Sequence, residues 1–462
     1  MERADTRPVN GCVSADPPTR GHHSMFNSSS VSPQRLLAPA LLVLLAACSG
    51  PDSAPGTVLS EPATAEPLAT GPWRGEIEHF GHPLPFNFEV AYGDDGVLSV
   101  TYLNGPERMP VEQVVEHPDG RIELNFPSYS ATLSAQHSDG RLQGEIGLAR
   151  RDGVQTFGFT AEPGPTHRFF ATPEPAAIDV SGRWQATISY PGLGFDQDAV
   201  AILEQNGHRV HGTFMTDVGD FRFLYGEVRG RELHLSAYDG GYTQLWFGEL
   251  DDEGRLAGRF DSATYAEATW VAELNPEARL VDPASVTWLQ DGVERFDFTF
   301  PDLDGQPVSL SDPRYEGKVV IVVLAGSWCP SCHDEAAFMA PFYETHRDRG
   351  LAIVNLMFEY SNDFEDVREQ VEAFRDRYDI GYDMLFAGDS SRMTRGSLLP
   401  ALNGIFAFPT TIFVDRRGEV RRIHTSFPGP ATGLEHDNYV RELRAFVDML
   451  LAETPDISQP RG

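Results

Sequence analysis

The residues of this chain best suited to chemistry are two cysteines with two residues between them, Cys329-Pro330-Ser331-Cys332. At this spacing a disulfide can close across a single turn, or the pair can supply half of a metal site. Four-coordinate zinc would need a second Cys or His pair close by in the fold, and His333 is the only adjacent candidate. The pair therefore reads as redox-active, and no metal or other cofactor is expected. The two remaining cysteines, Cys12 and Cys48, lie near the N-terminus, so a structural disulfide framework is excluded. Lys318 to Ala325, just before the pair, is a continuous apolar run of the kind a buried parallel strand needs. Glu335 to Arg349, just after it, reads as a helix with Phe338, Met339, Phe342 and Tyr343 on one side. The cysteines thus sit where a strand turns into a helix. A thiol at a helix N-terminus faces unpaired backbone N–H groups and the positive end of the helix dipole, and both favour the thiolate. Cys329 is then the exposed nucleophile and Cys332, one turn further in, the resolving thiol.

Trp328-Cys329-Pro330-Ser331-Cys332 after a Val-rich strand resembles the thioredoxin superfamily. The stretches 298–310 (FTFPDLDGQPVSL) and 408–415 (FPTTIFVD) narrow the resemblance to the TlpA-like thiol–disulfide oxidoreductases, with a redoxin or AhpC/TSA-like domain over 294–453. The resemblance implies a thioredoxin fold and a redox disulfide between Cys329 and Cys332. It implies a cis-proline at Pro409 facing the cysteines, with Trp328, Phe408 and Thr410 beside an incoming client strand. It further implies client protein disulfides as substrates, a membrane thiol or electron donor as the source of electrons, and a membrane-attached, periplasm-facing location. Glu335 occupies the Cys-x-x-Cys-x-x-Glu position of the family, where a carboxylate could take the proton of Cys332. The competing reading is that acids suit a first helical turn for dipole reasons alone. The acid that ordinary thioredoxin carries six residues before its first cysteine is Val323 here, which adds weight to Glu335. One departure concerns the helix: the family's proline two residues after this Glu is Ala337, and Pro341 follows instead.

Composition bounds the rest. The net charge of −32 over 462 residues makes nucleic acid an unsuitable partner. Leu36 to Leu45 is an apolar core preceded by Arg35, too short to span a bilayer and suited to a signal peptide. It ends in Leu45-Ala46-Ala47-Cys48, which resembles the bacterial lipobox and implies lipidation of Cys48. Ser49 rather than Asp follows, the pattern of outer-membrane sorting. Residues 1–47 are thus expected to be leader and signal peptide, with translation plausible from Met25, and 48–71 a Ser/Pro/Ala-rich tether.

Residues 72–162 and 178–275 read as a duplication. Trp73, Gly120 and Gly140 recur as Trp184, Gly230 and Gly254 in similar local sequence, at offsets of 111, 110 and 114 residues. Short alternating stretches are separated by Asp-Gly and Asn-Gly turns, so two antiparallel meanders, sandwich-like or barrel-like, are expected. Each unit is short for a full eight-stranded barrel. Trp73 and Trp184 read as core plugs, and His79, His82, His208, His211 and His234 as surface or satisfied residues. Spacer, dimerisation surface and client-docking module all remain open for this region.

The fold class is therefore multidomain: an all-β N-terminal region of two repeats, then an α/β thioredoxin-fold domain. In that domain a hairpin turning at Asp304-Gly305, strands at 351–358, 383–387, 410–414 and 419–424, and helices at 363–378, 391–402 (interrupted by Pro400) and 437–452 are expected, with a strand or short helix at 286–289. A peroxidase would need Pro and Thr or Ser where Val322 and Gly326 stand. A copper-binding assembly factor would lean on His424, and a β-domain binding lipoprotein would make the redox domain an accessory.

Overall fold

The computed structural model describes residues 66–263, 267–293 and 295–454. Cys48, the leader and most of the tether lie outside the described residues. Among the described residues no helix is long and apolar enough to cross a membrane.

Alternating side chains and tight Gly turns make hairpin after hairpin. The first repeat consists of β1 (Gly71–His79), β2 (His82–Tyr92), β3 (Leu98–Asn104), β4 (Glu107–Pro110), β5 (Gln113–Glu116), β6 (Arg121–Phe126), β7 (Ala131–Ser138), β8 (Arg141–Arg150) and β9 (Gly153–Pro163). Because β1 pairs with β9, this meander rolls up and leaves its seam between β4 and β5. The second repeat consists of β10 (Gly182–Tyr190), β11 (Phe195–Asn206), β12 (Arg209–Thr216), β13 (Gly219–Asp220), β14 (Leu224–Arg229), β15 (Glu232–Tyr238), β16 (Thr243–Leu250), β17 (Arg255–Ser262) and β18 (Ala268–Leu274). Here β10 pairs with β18 and β11 with β12, so all strands but the short β13 close into an eight-stranded up-and-down barrel. The expectation that each unit is too short for such a barrel is corrected for this repeat. Two-residue turns such as Asn206–Arg209 leave nearly every residue free to build strand.

Both repeats use one plug. Trp73 and Trp184 are buried at 0% and 2%, and each indole N–H donates to the carbonyl four residues earlier, Ala69 at 2.8 Å and Val180 at 3.0 Å. Trp184→Ala should cost about 3–5 kcal/mol, read as a lower urea midpoint for the barrel; a change under about 1 kcal/mol would refute the plug.

The third unit adds the hairpin β19 (Thr299–Pro301) and β20 (Pro307–Ser309), then β21 (Val319–Ala325), α1 (Pro330–His346), β22 (Leu351–Glu359), α2 (Arg368–Arg377), β23 (Asp383–Asp389), α3 (Arg395–Leu398), β24 (Thr410–Val414), β25 (Val420–Thr425) and α4 (Leu434–Ala452). The sheet order is β23-β22-β21-β24-β25, with β21 to β23 parallel and the last two strands antiparallel. Every residue of β21 is buried, as its unbroken apolar run requires. The helix expected over 391–402 shrinks to α3, two residues short of Pro400, which disfavours helix at the residue before it. At 286–289 there is neither strand nor helix: a 3-10 turn covers Pro283–Ser285 and Leu289 bridges Leu402.

Candidate active site

The end of β21 and the start of α1 place the cysteines as their spacing requires. Cys329 caps α1, and Pro330 fills the first helical position, where a missing N–H costs nothing. The Cys332 N–H donates to Cys329 Sγ at 3.3 Å. Across the gap, the Cys329 thiol donates to the carbonyl of Phe408 at 3.3 Å, and the Phe408–Pro409 peptide is cis. Cys329, Cys332, Pro409 and Phe408 are thus gathered at one point. Trp328 flanks them: its indole N–H donates to the Phe358 carbonyl at 2.8 Å, its ring stacks on Tyr360 at 5.1 Å and it meets Phe408 edge-on at 5.7 Å. Thr410 is turned inward, its hydroxyl donating to Ala407 O at 2.8 Å. Both cysteines are free and buried, so the exposed thiol expected at Cys329 is corrected: neighbouring structure covers it.

Burial pushes the Cys332 thiol well up, and the Cys329 sulfur beside it acts in the same direction. One helical turn on, Glu335 is 1% exposed. Its Oε1 accepts from Thr411 Oγ1 at 2.6 Å, while Oε2 has no partner among the described residues. Burial raises its carboxyl to about 7, against the opposing Thr411 hydrogen bond. A half-satisfied carboxyl that titrates near neutrality, one helical turn from a thiol within its electrostatic reach that must lose its proton, has the chemistry of an acid–base pair.

Two groups, Glu359 and Arg222, escaped the sequence reading, and a third, His333, was weighed there only as a metal ligand. Glu359, at the end of β22, is 1% exposed and accepts from the Ser327 N–H at 2.9 Å and the Ser327 hydroxyl at 2.7 Å. Burial lifts its carboxyl to about 7 as well. Its signal was available: an acid closing a buried parallel strand that is apolar but for Asn355 stands at the carboxyl edge, where open α/β sheets place their sites. His333 is locked by Tyr378, whose hydroxyl donates to Nδ1 at 2.8 Å, and by the Ser327 carbonyl, which accepts from Nε2 at 2.7 Å. Burial holds its imidazole well below the usual range, hence neutral. Arg222 arrives from the second repeat and pairs with Asp334, in the second turn of α1, at 3.2 Å. Nothing local in the sequence marks Arg222, because its partners come from three separate units.

His424, the residue a copper reading needed, is buried on β25 and stacks on Tyr439 at 4.4 Å. Among the described residues no group of three or more His, Cys, Asp or Glu is placed to hold a metal ion.

Residues 292–423 match the AhpC/TSA family. Thioredoxin-like protein YneN of Bacillus subtilis is 29% identical over 136 residues, which is 29% of this chain and 72% of that protein. Thiol-disulfide oxidoreductase ResA of Halalkalibacterium halodurans is 26% identical over 134 residues, 29% of this chain and 68% of the relative. A solved thiol:disulfide interchange protein of the thioredoxin family from Chlorobium tepidum is 21% identical, covers 35% of this chain and 97% of its own, and has a TM-score of 0.27. The fold, the cysteine pair, the AhpC/TSA match and the two oxidoreductase-like sequence relatives, YneN and ResA, make the C-terminal unit a thioredoxin-superfamily domain. Within that superfamily it is TlpA-like.

Proposed function

We propose that this chain is a membrane-anchored, extracytoplasmic thiol–disulfide oxidoreductase that reduces disulfides of client proteins. The observation that carries the reading is the convergence on Cys329 Sγ of the Cys332 N–H and the Phe408 carbonyl, with a buried carboxyl one turn away. The Cys329 thiolate attacks one sulfur of a client disulfide, a mixed disulfide forms, and the client's other sulfur leaves as a thiolate. Cys332 then gives its proton to Glu335 and attacks Cys329 Sγ, which releases the second client thiolate. The client has gained two electrons, and Cys329 and Cys332 are left as a disulfide for a membrane thiol or electron donor to reduce. Pro409, Phe408, Trp328 and Thr410 border the place a client strand would occupy. The lipid proposed on Cys48 and the tether behind it would hold the enzyme at the membrane surface, with the outer membrane favoured.

Equilibration of the purified chain with dithiothreitol and glutathione buffers tests the direction. A potential near that of thioredoxin, about −270 mV, is expected for a reductant fed by a membrane donor; a value near about −120 mV would make the protein an oxidant and overturn the assignment.

A further inference from the structure

The face that carries the cysteines is the face a client must reach, and both β repeats sit on it. Cys329 is 4% exposed, Ser331 7% and His333 1%. From the first repeat, the Tyr129 ring lies on the His333 imidazole with centroids 4.0 Å apart. Arg377 of α2 pairs with Glu112 of the same repeat and donates to Ser128 Oγ at 3.1 Å. From the second repeat, β13 lies over the residues between the cysteines: a Cβ on Gly219 would stand 3.1 Å from Ser331 Oγ. Next to it, Asp220 Oδ2 accepts from the Gly429 N–H at 2.8 Å. The loop between β15 and β16 completes the cover. A side chain on Gly240 or Gly241 would strike the rings of Phe126 or Tyr129 at 2.6 and 2.5 Å, so glycine lets this loop press down. The loop then brings Tyr242 within the electrostatic reach of Tyr360 and Cys329.

Arg222 ties the units together. It lies 2.7 Å from Glu107 of the first repeat, 3.7 Å from Asp239 of its own repeat and 3.2 Å from Asp334 of α1, and it donates to the Tyr129 hydroxyl at 3.3 Å. Its backbone holds φ at +54°, the left-handed region an arginine rarely adopts. One cation faces three carboxyl groups in a place sheltered from water, so its removal would leave like charges facing each other. Disulfide exchange needs a client sulfur brought to Cys329 Sγ with polypeptide on either side of it. With β13 on Ser331 and Tyr129 on His333, a folded protein has no such approach.

We propose that the two β repeats are the specificity element of the enzyme. They clamp the cysteine face through Arg222 and shut Cys329 to protein disulfides, while small disulfides still enter, until the clamp lifts. The proposal rests on the reading of Cys329 as nucleophile.

The test uses the full chain and pairs each small probe with a large one: N-ethylmaleimide with a long-chain polyethylene-glycol maleimide, which carries the same reactive group, and 5,5′-dithiobis(2-nitrobenzoate) with insulin. In the wild type the large probes should react far more slowly than the small ones. Arg222→Ala should raise the large-to-small ratio about a hundredfold, the scale on which a buried ion pair fails when one partner goes. Small-probe rates should change by less than about threefold, since the reacting sulfur is untouched. Tyr129→Ala, checked for a wild-type circular dichroism spectrum, is the second variant and should raise the ratio in the same direction. Equal reactivity of both probes in the wild type, or an unchanged ratio in whichever folded variant is obtained, overturns the clamp. No reaction with the small disulfide in any form instead overturns the reading of Cys329 and leaves the clamp to be judged by alkylation.

Discussion

Cys332→Ser is expected to turn this enzyme into a trap. Once Cys329 has attacked a client disulfide, the mixed disulfide can be cleared from within only by a second thiol one helical turn away, and serine cannot form the new S–S bond. With the clamp lifted by Arg222→Ala, the variant should therefore accumulate covalent complexes with client proteins, seen as bands that disappear on treatment with dithiothreitol. Turnover of insulin in that background should fall by about a thousandfold or more, the scale of losing a covalent-catalysis residue. Cys329→Ser should lose turnover to the same extent and form no complexes at all. The asymmetry is the informative part. The Cys332 N–H points at Cys329 Sγ and burial keeps the Cys332 thiol protonated, so the two sulfurs are not equivalent before any client arrives. If Cys329→Ser were the variant that trapped clients, the assignment of nucleophile and resolving thiol would be reversed.

How much of this was readable beforehand follows from the range of the interactions involved. The strand–cysteine–helix unit is local: an apolar run, a proline at the first helical position and two cysteines fix β21 and α1 without help from elsewhere. The place of Glu335 beside Cys332 follows from helical periodicity alone. The duplication was legible because each repeat is anchored by its own Trp, and those two residues make the same hydrogen bond 111 positions apart. Closure of the second repeat was not legible. The β11–β12 hairpin turns at Asn206-Gly207, but closure also needs β10 to pair with β18 at the far end of the repeat, and pairing between distant strands leaves no mark in either sequence. The same limit hid Arg222 and Tyr129. Each looks like an ordinary polar or aromatic residue of a β protein until the third unit is in place, and only then do they lie on Asp334 and His333. The α3 region was legible in part: the interruption at Pro400 was expected, but helical spacing over 391–402 overstated the helix, which covers only Arg395–Leu398.

Glu335→Gln should have the second largest effect, with a signature in pH that a structural role would lack. If Glu335 takes the Cys332 proton, the rate of mixed-disulfide resolution in the wild type rises as its carboxyl ionises, through about pH 7. The glutamine variant should lose about a hundredfold in that step at pH 8 and show no such rise. Stability supplies an independent readout. The carboxyl titrates near 7 when folded against an ordinary value of 4.5, so the native state keeps a proton that the unfolded chain gives up. Stability is therefore undiminished below about pH 4.5 and falls as pH climbs toward 7, by about 3 kcal/mol for a shift of this size at a site so fully buried. Asp334 and Glu359, also raised to about 7, act in the same sense, so part of the decline will survive in the variant. The quantity to measure is the difference in unfolding free energy between variant and wild type, at pH 4 and again at pH 8. Whatever fixed cost the buried amide carries cancels between the two conditions, and the difference should move by about 3 kcal/mol in favour of the variant. A shift in stability without the loss of the kinetic rise would leave Glu335 a buried structural acid, and the proton of Cys332 would need another acceptor.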